Sequence, residues 1–404
     1  MPDPRAAPHE RISEIKRKAE AGPVIFQNSF RPFFLAAGVW ATLAVPFWLM
    51  SYADILVLPA GIDGHLWHQH EMLFGFASAA IAGFILTAIP NWTGGLPVSG
   101  WRLAMLVTLW LAGRGGSLIA SDIGPMAAAV LDLSFLTVLV GVIARELISG
   151  RNWRNLPVLV LISLFTCGNW LVHFELTGHG ATAQIGIRLS IFILSVLVAV
   201  IGGRIVPSFT RNWLTRRGAE ELPAPMGRFD VFALAALVIF VVFQVATPNY
   251  FLTPYLALIA GGLHGFRLVR WKGWAVRAEP LMWALHLGYA WLALALILIG
   301  LSGLSDAVPV TAAIHALTVG AFGTMILAVM TRASLGHTGR ELAATRGTMA
   351  IFILVTTAAI ARVAAPFLGN QDLTAFWISG LAWTAAYGLF TVLYYPILAI
   401  SDER

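Results

Sequence analysis

From Phe33 onward the chain is a succession of apolar runs, each close to the roughly 20 residues a helix needs to cross a bilayer, separated by short polar stretches. Only 11% of its residues are charged and 58% are hydrophobic, which no water-soluble domain tolerates. Lipid offers no partner to backbone polar groups, so a spanning segment is a helix or a strand of a closed barrel. The runs are continuous, without alternation between apolar and polar positions, and this selects helices. The pattern predicts an all-α polytopic membrane protein, a bundle of twelve transmembrane helices with short loops. The expected spans are 33–50, 67–90, 101–119, 125–147, 156–176, 185–206, 229–245, 251–269, 281–301, 308–330, 348–368 and 376–399. A tail over 1–29, one membrane domain over 30–400 and a terminus over 401–404 complete the expected organisation.

Lys and Arg flanking a span are retained on the cytoplasmic side, so their positions set the orientation. The connections that follow odd-numbered spans, 51–64, 120–124, 177–184, 246–250, 302–307 and 369–375, contain no Lys or Arg. All but three of the 26 Lys and Arg residues fall on the opposite side, from Arg5, Arg11, Lys16, Arg17 and Lys18 in the tail to Arg404. Both termini are therefore expected in the cytoplasm, and no cleavable signal is expected at the N-terminus. The net charge of +6 reflects this bias. It argues for contact with anionic membrane lipid and lends nothing to a nucleic-acid reading.

A proline-bearing loop over 207–228 divides the spans into two sets of six, as in duplicated transporters. A different echo is also visible. His70-Glu-Met-Leu-Phe-Gly75 opens the second span and His315-Ala-Leu-Thr-Val-Gly320 opens the tenth, and Thr93-Gly94 and Thr338-Gly339 follow at the same interval. The one cysteine, Cys167, excludes disulfides, thiolate clusters and covalently attached c-type haem.

Arg114, Arg188 and Arg362 fall inside the third, sixth and eleventh spans, toward the outer side. A cation at the membrane centre costs about 2.5–3.5 kcal/mol on insertion scales, so each needs an anionic partner. Glu71, Asp132 and Glu175 lie at similar depth, and Arg-carboxylate pairs that fix helix packing are as good a use of them as any. His65, His68, His70, His173 and His315 share the layer. Imidazole coordinates haem iron and copper, and haem propionates attract arginine, so a haem there would use both residue types. On a regular helix His65, His68, Glu71 and Met72 share a face, while His70 points about 160° away from His68. A second set, His264, His286 and His337, lies near the cytoplasmic side. For any single histidine a hydrogen-bonded packing role outweighs a ligand role, whereas for the outer group together the balance reverses. His9 in the tail is read as solvated, and His65 and His179, at loop edges, as hydrogen-bonded packing or interface residues. No phosphate-binding glycine loop, helical HExxH or nucleophile with a base is present.

Ser29-Phe-Arg-Pro-Phe-Phe-Leu35, Trp67-His-Gln-His-Glu-Met-Leu-Phe-Gly-Phe76, Ala88-Ile-Pro-Asn-Trp-Thr-Gly94, Leu285-His-Leu-Gly-Tyr289 and the segment from His315 to Arg340 resemble the NnrS family over almost the whole chain. The resemblance implies a haem- and copper-containing protein of the bacterial inner membrane, tied to nitric oxide, denitrification and protection from nitrosative stress. Motif by motif it points to His68, His70, Glu71, His315 and His337, with His286 and His264. A wider similarity to haem-copper oxidases and nitric oxide reductases has a limit, because span 229–245 contains no histidine where those proteins carry a metal-binding pair.

Under that resemblance, nitric oxide would bind a His-ligated b-type haem and be reduced to nitrous oxide, making the chain an oxidoreductase. His70 and His315 would be axial ligands to one haem, and His68 would serve a neighbouring metal. Glu71 would relay protons or complete a metal shell, and Arg114, Arg188 and Arg362 would meet propionates. His264, His286 and His337 would hold a second haem or copper that accepts electrons from quinol. The rival classes are a non-catalytic nitric oxide sensor, a metal- or haem-handling protein, and a transporter that uses the buried Arg and His residues.

Overall fold

In the computed structural model, residues 22–58, 61–369 and 372–400 are described. The basic residues of the tail up to Lys18, His9 and Arg404 lie outside them. Each of the twelve expected spans is helical, and no strand occurs among the described residues. The helices are α1 (Phe30–Tyr52), α2 (Gly64–Thr93), α3 (Gly100–Leu118), α4 (Pro125–Ser149), α5 (Leu156–Leu176) and α6 (Ala183–Arg216). They continue as α7 (Arg228–Ala246), α8 (Thr253–Val269), α9 (Pro280–Ser302), α10 (Val310–His337), α11 (Arg346–Ala364) and α12 (Asp372–Ala399). Ten of the described helices are long and apolar enough to cross a membrane. The other two are α8, with 17 residues, and α3, which carries Arg102 and Arg114.

Large apolar side chains are displayed outward, among them Val130, Ile353, Leu381 and Val392, while Glu71, Arg114, Asp132 and Arg267 are buried. That inversion of a water-soluble pattern, together with the spans, is a multi-pass membrane architecture. Two helices outrun their apolar stretches. α6 passes through Pro207 to Arg216, and α10 continues to His337, which places that residue on a helix end rather than in a loop. Hydropathy marks only the part of a helix that suits lipid, and a polar continuation is invisible to it.

Local chemistry explains the helix ends. Asp63 accepts from the amides of His65 and Leu66 to open α2, Thr345 accepts from Thr348 to open α11, and Glu175 accepts from the Ala183 amide at the start of α6. Gly94, at φ +72°, closes α2 in the left-handed conformation that glycine adopts without penalty.

The chain forms two compact units, residues 1–186 with 391–404, and residues 187–390. The boundary falls at Gly186, within α6, and not in the loop over 207–228, because α6 runs unbroken through the first part of that segment.

The repeat that the sequence hinted at is a block of three helices. α1 and α9 each have 23 residues, and α3 and α11 each have 19. Between them, α2 and α10 both widen into a π-helix directly after the echoing histidine, over Glu71–Ala77 after His70 and over Ala316–Gly323 after His315. Trp40 of α1 packs on Gly75 of the first π segment and Trp291 of α9 on Gly320 of the second. Gly94 and Gly339 follow with φ of +72° and +70°. A π turn displaces carbonyls from the regular ladder, and side chains collect them. Trp110 Nε1 donates to Gly75 O at 3.0 Å, and Tyr387 Oη donates to Gly323 O at 3.0 Å.

Candidate functional site

In the first unit, four helices deliver polar side chains to one buried cluster: His70 and Glu71 from α2, Arg114 and Ser117 from α3, Asp132 from α4, and Asn169 and His173 from α5. Arg114 divides its guanidinium between two carboxylates. Its Nη1 donates to Glu71 Oε2 at 2.5 Å and its Nη2 to Asp132 Oδ1. Ser117 Oγ donates to Glu71 Oε1 at 2.6 Å, and Asn169 Nδ2 donates to Asp132 Oδ2 at 2.7 Å. His70 lies between the acids, with Nδ1 at 2.9 Å from Glu71 Oε1 and Nε2 at 3.2 Å from Asp132 Oδ2 and 3.1 Å from Asn169 Oδ1. His173 approaches from the other side, its Nε2 at 3.0 Å from Asp132 Oδ2 and its ring 5.3 Å from that of His70.

Close helix packing makes this possible. A Cβ on Gly113 would stand 3.0 Å from Asp132 Oδ1, so α3 and α4 meet closely beside Arg114. A Cβ on Gly75 would collide with Trp40 Nε1 and lie 2.7 Å from Arg114 Nη1 and 2.8 Å from Glu71 Oε2. Two carboxylates face one guanidinium, so the buried set needs one further positive charge. Both ring nitrogens of His70 face acceptors, which suits a doubly protonated imidazolium. The nitrogens of His70 and His173 and an oxygen of Asp132 also lie within 4.8 Å of one another, close enough to converge on a cation instead.

The second unit contains a different kind of buried chain. Arg267, from α8, gives Nε to Asp230 Oδ1 at 2.8 Å and Nη1 to Ala199 O at 2.9 Å and to Tyr289 Oη at 2.8 Å. The Tyr289 hydroxyl can then donate to His264 Nδ1 at 2.7 Å, while His264 Nε2 donates to Ala233 O at 3.2 Å. Carbonyls only accept, which fixes the tautomer of this ring and occupies both of its nitrogens. The same rule applied to His315 and His286 gives another result. His315 Nδ1 donates to Thr311 O at 2.7 Å, so in the neutral ring Nε2 is the basic nitrogen, whereas His286, with Nδ1 at 3.0 Å from Met282 O, also has the Trp271 backbone carbonyl as a partner. His286 is the more enclosed, with Nε2 at 3.4 Å from Thr210 Oγ1 and Gly273 lying against the ring.

The profile of the NnrS protein family matches residues 24–401. The chain belongs to the NnrS family. No curated protein matches it.

Of the residues that the NnrS motifs single out in the first unit, His70 and Glu71 enter the cluster, and His68 faces elsewhere, stacked on Trp48 with ring centroids 4.0 Å apart. The regular-helix reading paired Glu71 with His68. The helix widens at Glu71, and the carboxylate instead joins His70 and α3. Arg114 meets protein carboxylates, the packing alternative raised for it from sequence, and Glu175 serves as a helix cap. In the second unit Arg362, from α11, holds its guanidinium 5.4 Å from the Phe376 ring, Arg188 is half-buried on α6, and His337 is exposed at the end of α10. A ligand role for His264 would require Tyr289 to give up its nitrogen. Asp132, Asn169 and His173 were not singled out as site residues from the NnrS motifs. The available signal was the four-residue spacing of Asn169 and His173, which places both on one helix face beside the buried acid of the preceding helix.

Proposed function

We propose that this NnrS-family chain is a haem- and copper-dependent protein of the bacterial inner membrane that binds nitric oxide and detoxifies it by reduction to nitrous oxide. Family membership supplies the link to nitric oxide. The observation that carries the haem reading is the His315 ring, whose Nδ1–H is tied to Thr311 O at 2.7 Å and whose Nε2 is left as a basic nitrogen. Ligand histidines are commonly oriented in this way, the second ring nitrogen donating to a backbone carbonyl. His286 is likewise anchored through Nδ1 to a backbone carbonyl, Met282 O. Arg362, on a helix that packs against the same π segment, offers a guanidinium suited to a propionate. His70 and Glu71 pair an imidazole with a carboxylate behind it, an arrangement suited to copper.

Haem iron, when bound, supplies the open coordination position and the redox change that nitric oxide reduction requires. Two molecules of nitric oxide take up two electrons and two protons to give nitrous oxide and water. In the first unit Glu71, its carboxylate held by Ser117, Arg114 and His70, would relay protons. Quinol in the surrounding lipid is the proposed electron source.

The test is a reduced-minus-oxidised absorption spectrum of the purified protein from haem-replete cells, followed by nitric oxide consumption in proteoliposomes with a quinol donor. A b-type Soret band that is lost in His315→Ala, with one nitrous oxide formed per two nitric oxide consumed, is the expected outcome. Protein without haem refutes the proposal, and haem without turnover converts the reading to a sensor.

A further inference from the structure

Three-helix scaffolds with a π segment in the middle helix occur twice in this chain, and only one carries the charged set. His70 is followed by Glu71 at the mouth of its π segment, whereas His315 is followed by Ala316 at the mouth of the second. The helices flanking each π segment agree in length between the blocks, so the arrangement forms without that carboxylate. A buried charge that the scaffold does not need for folding, and that burial makes expensive, calls for a chemical use.

The donor geometry indicates that use. His70 Nε2 and His173 Nε2 stand 3.2 Å and 3.0 Å from one atom, Asp132 Oδ2. Donors around a tetrahedral first-row cation, each about 2.0–2.2 Å from it, are separated by about 3.4 Å. Small outward rotations of the two rings would therefore open room for an ion where hydrogen bonds now run. The surrounding groups already stand as outer partners to such an ion. Glu71 Oε1 holds His70 Nδ1 at 2.9 Å, which fixes the ring and raises the basicity of Nε2. Arg114 and Asn169 hold the two oxygens of Asp132. His173 Nδ1 is buried with no hydrogen-bond partner, so the contact at Nε2 alone accounts for where this ring points.

We propose that His70 Nε2, Asp132 Oδ2 and His173 Nε2 form a binding site for a divalent first-row metal cation, completed within the first unit and separate from any haem. The donor set is two imidazoles and a carboxylate, with no thiolate or thioether, which suits Zn²⁺, Fe²⁺, Co²⁺ or Cu²⁺ and disfavours Cu⁺. Three protein donors leave a position for water or a small anion. With Glu71 and Asp132 opposite Arg114, a dication leaves the cluster at one positive charge, which one bound anion would neutralise.

Full-length protein in detergent, stripped with a chelator, is titrated with Zn²⁺ and then with Co²⁺, whose visible absorption reports the ligand field. One saturable equivalent is expected for the unaltered chain. His173→Gln retains a side chain able to hydrogen-bond Asp132 but removes the imidazole, and His70→Ala removes the other. Either should weaken Zn²⁺ binding by at least about 100-fold, and Glu71→Gln, acting only through His70, by roughly 10–100-fold. His179→Ala, at an exposed loop, should change nothing. Thermal melts of the same samples establish that each variant is folded. Absence of a saturable equivalent in the unaltered protein overturns the proposal, as does an equivalent that survives both histidine variants. Haem content is read in parallel: metal lost with haem retained upholds a separate site, and loss of both from a folded variant refutes it. Because the Zn²⁺ titration requires neither haem nor nitric oxide, failure of the functional reading leaves this result standing.

Discussion

Arg114 is 4% exposed and lies between Glu71, fully buried, and Asp132, 2% exposed. Replacing it with methionine retains most of the side-chain volume and leaves two carboxylates in the interior with a single imidazolium between them. Removing one partner from a buried ionic set costs about 3–5 kcal/mol, because the charges left behind can neither reach water nor pair. That range corresponds to roughly two to four powers of ten in the unfolding equilibrium. Arg114→Met combined with Glu71→Gln and Asp132→Asn removes every charge of the triad, and uncharged groups of similar size in place of a buried ionic set leave stability within about 1 kcal/mol or improve it. The Ala316 module, built without the first of these carboxylates, indicates that the helices pack without it. The assay is reversible unfolding in mixed dodecyl maltoside and SDS, followed by tryptophan fluorescence. Trp40 and Trp110, with rings 5.9 Å and 6.0 Å from the Arg114 guanidinium, are local reporters. A loss below about 1 kcal/mol in the single variant, or a triple variant no more stable than the single, refutes the electrostatic account of the cluster.

Two further expectations are simpler to read. Gly75→Ala introduces a Cβ that collides with Trp40 Nε1 and crowds Arg114 and Glu71, so it should destabilise by about 1–3 kcal/mol, whereas Gly115→Ala, with nothing within 4 Å, should be neutral or mildly stabilising in the same unfolding assay. If both termini are cytoplasmic, alkaline phosphatase fused after residue 180 or 304 should be active and a fluorescent protein at either terminus bright. The reverse pattern would overturn the orientation drawn from the Lys and Arg placement.

The fold was legible because a membrane span is a composition before it is a structure. Even α8, at 17 residues, is an apolar stretch between polar ends. The extension of α6 to Arg216 was not legible, because past Val206 polar residues interrupt the apolar run and no lipid constraint marks them. The site was half legible. The motif from His70 to Gly75 drew attention to a histidine that enters the cluster, and the burial of Arg114 beside acids was expected from charge alone. Asp132, Asn169 and His173 come from helices that carry none of the family's conspicuous motifs. Their meeting with His70 depends on which faces of α4 and α5 turn toward α2, and those faces are set by contacts such as the one at Gly113. The partnership of Glu71 with His70 rather than His68 depends on a π turn, which a wheel drawn at 3.6 residues per turn cannot display.

The two modules assign imidazole to different work. His70 has a carboxylate oxygen within reach of each ring nitrogen, so its surroundings favour a positive charge, carried by a proton or exchanged for a metal ion. His315 has a backbone carbonyl on Nδ1, so in the neutral ring Nε2 is the basic nitrogen. In the proposed reduction of nitric oxide, which consumes protons as well as electrons, a ligand that must stay neutral to hold iron could not also deliver protons on demand. Under that proposal a repeated scaffold would resolve the conflict, because the carboxylate beside His70 is replaced by Ala316 beside His315. The consequence is directional. Moving the acid across, as in Ala316→Glu, should deprive His315 of its neutral state and lower haem content without touching the first cluster, whereas Glu71→Gln should weaken the first cluster and leave haem content unchanged.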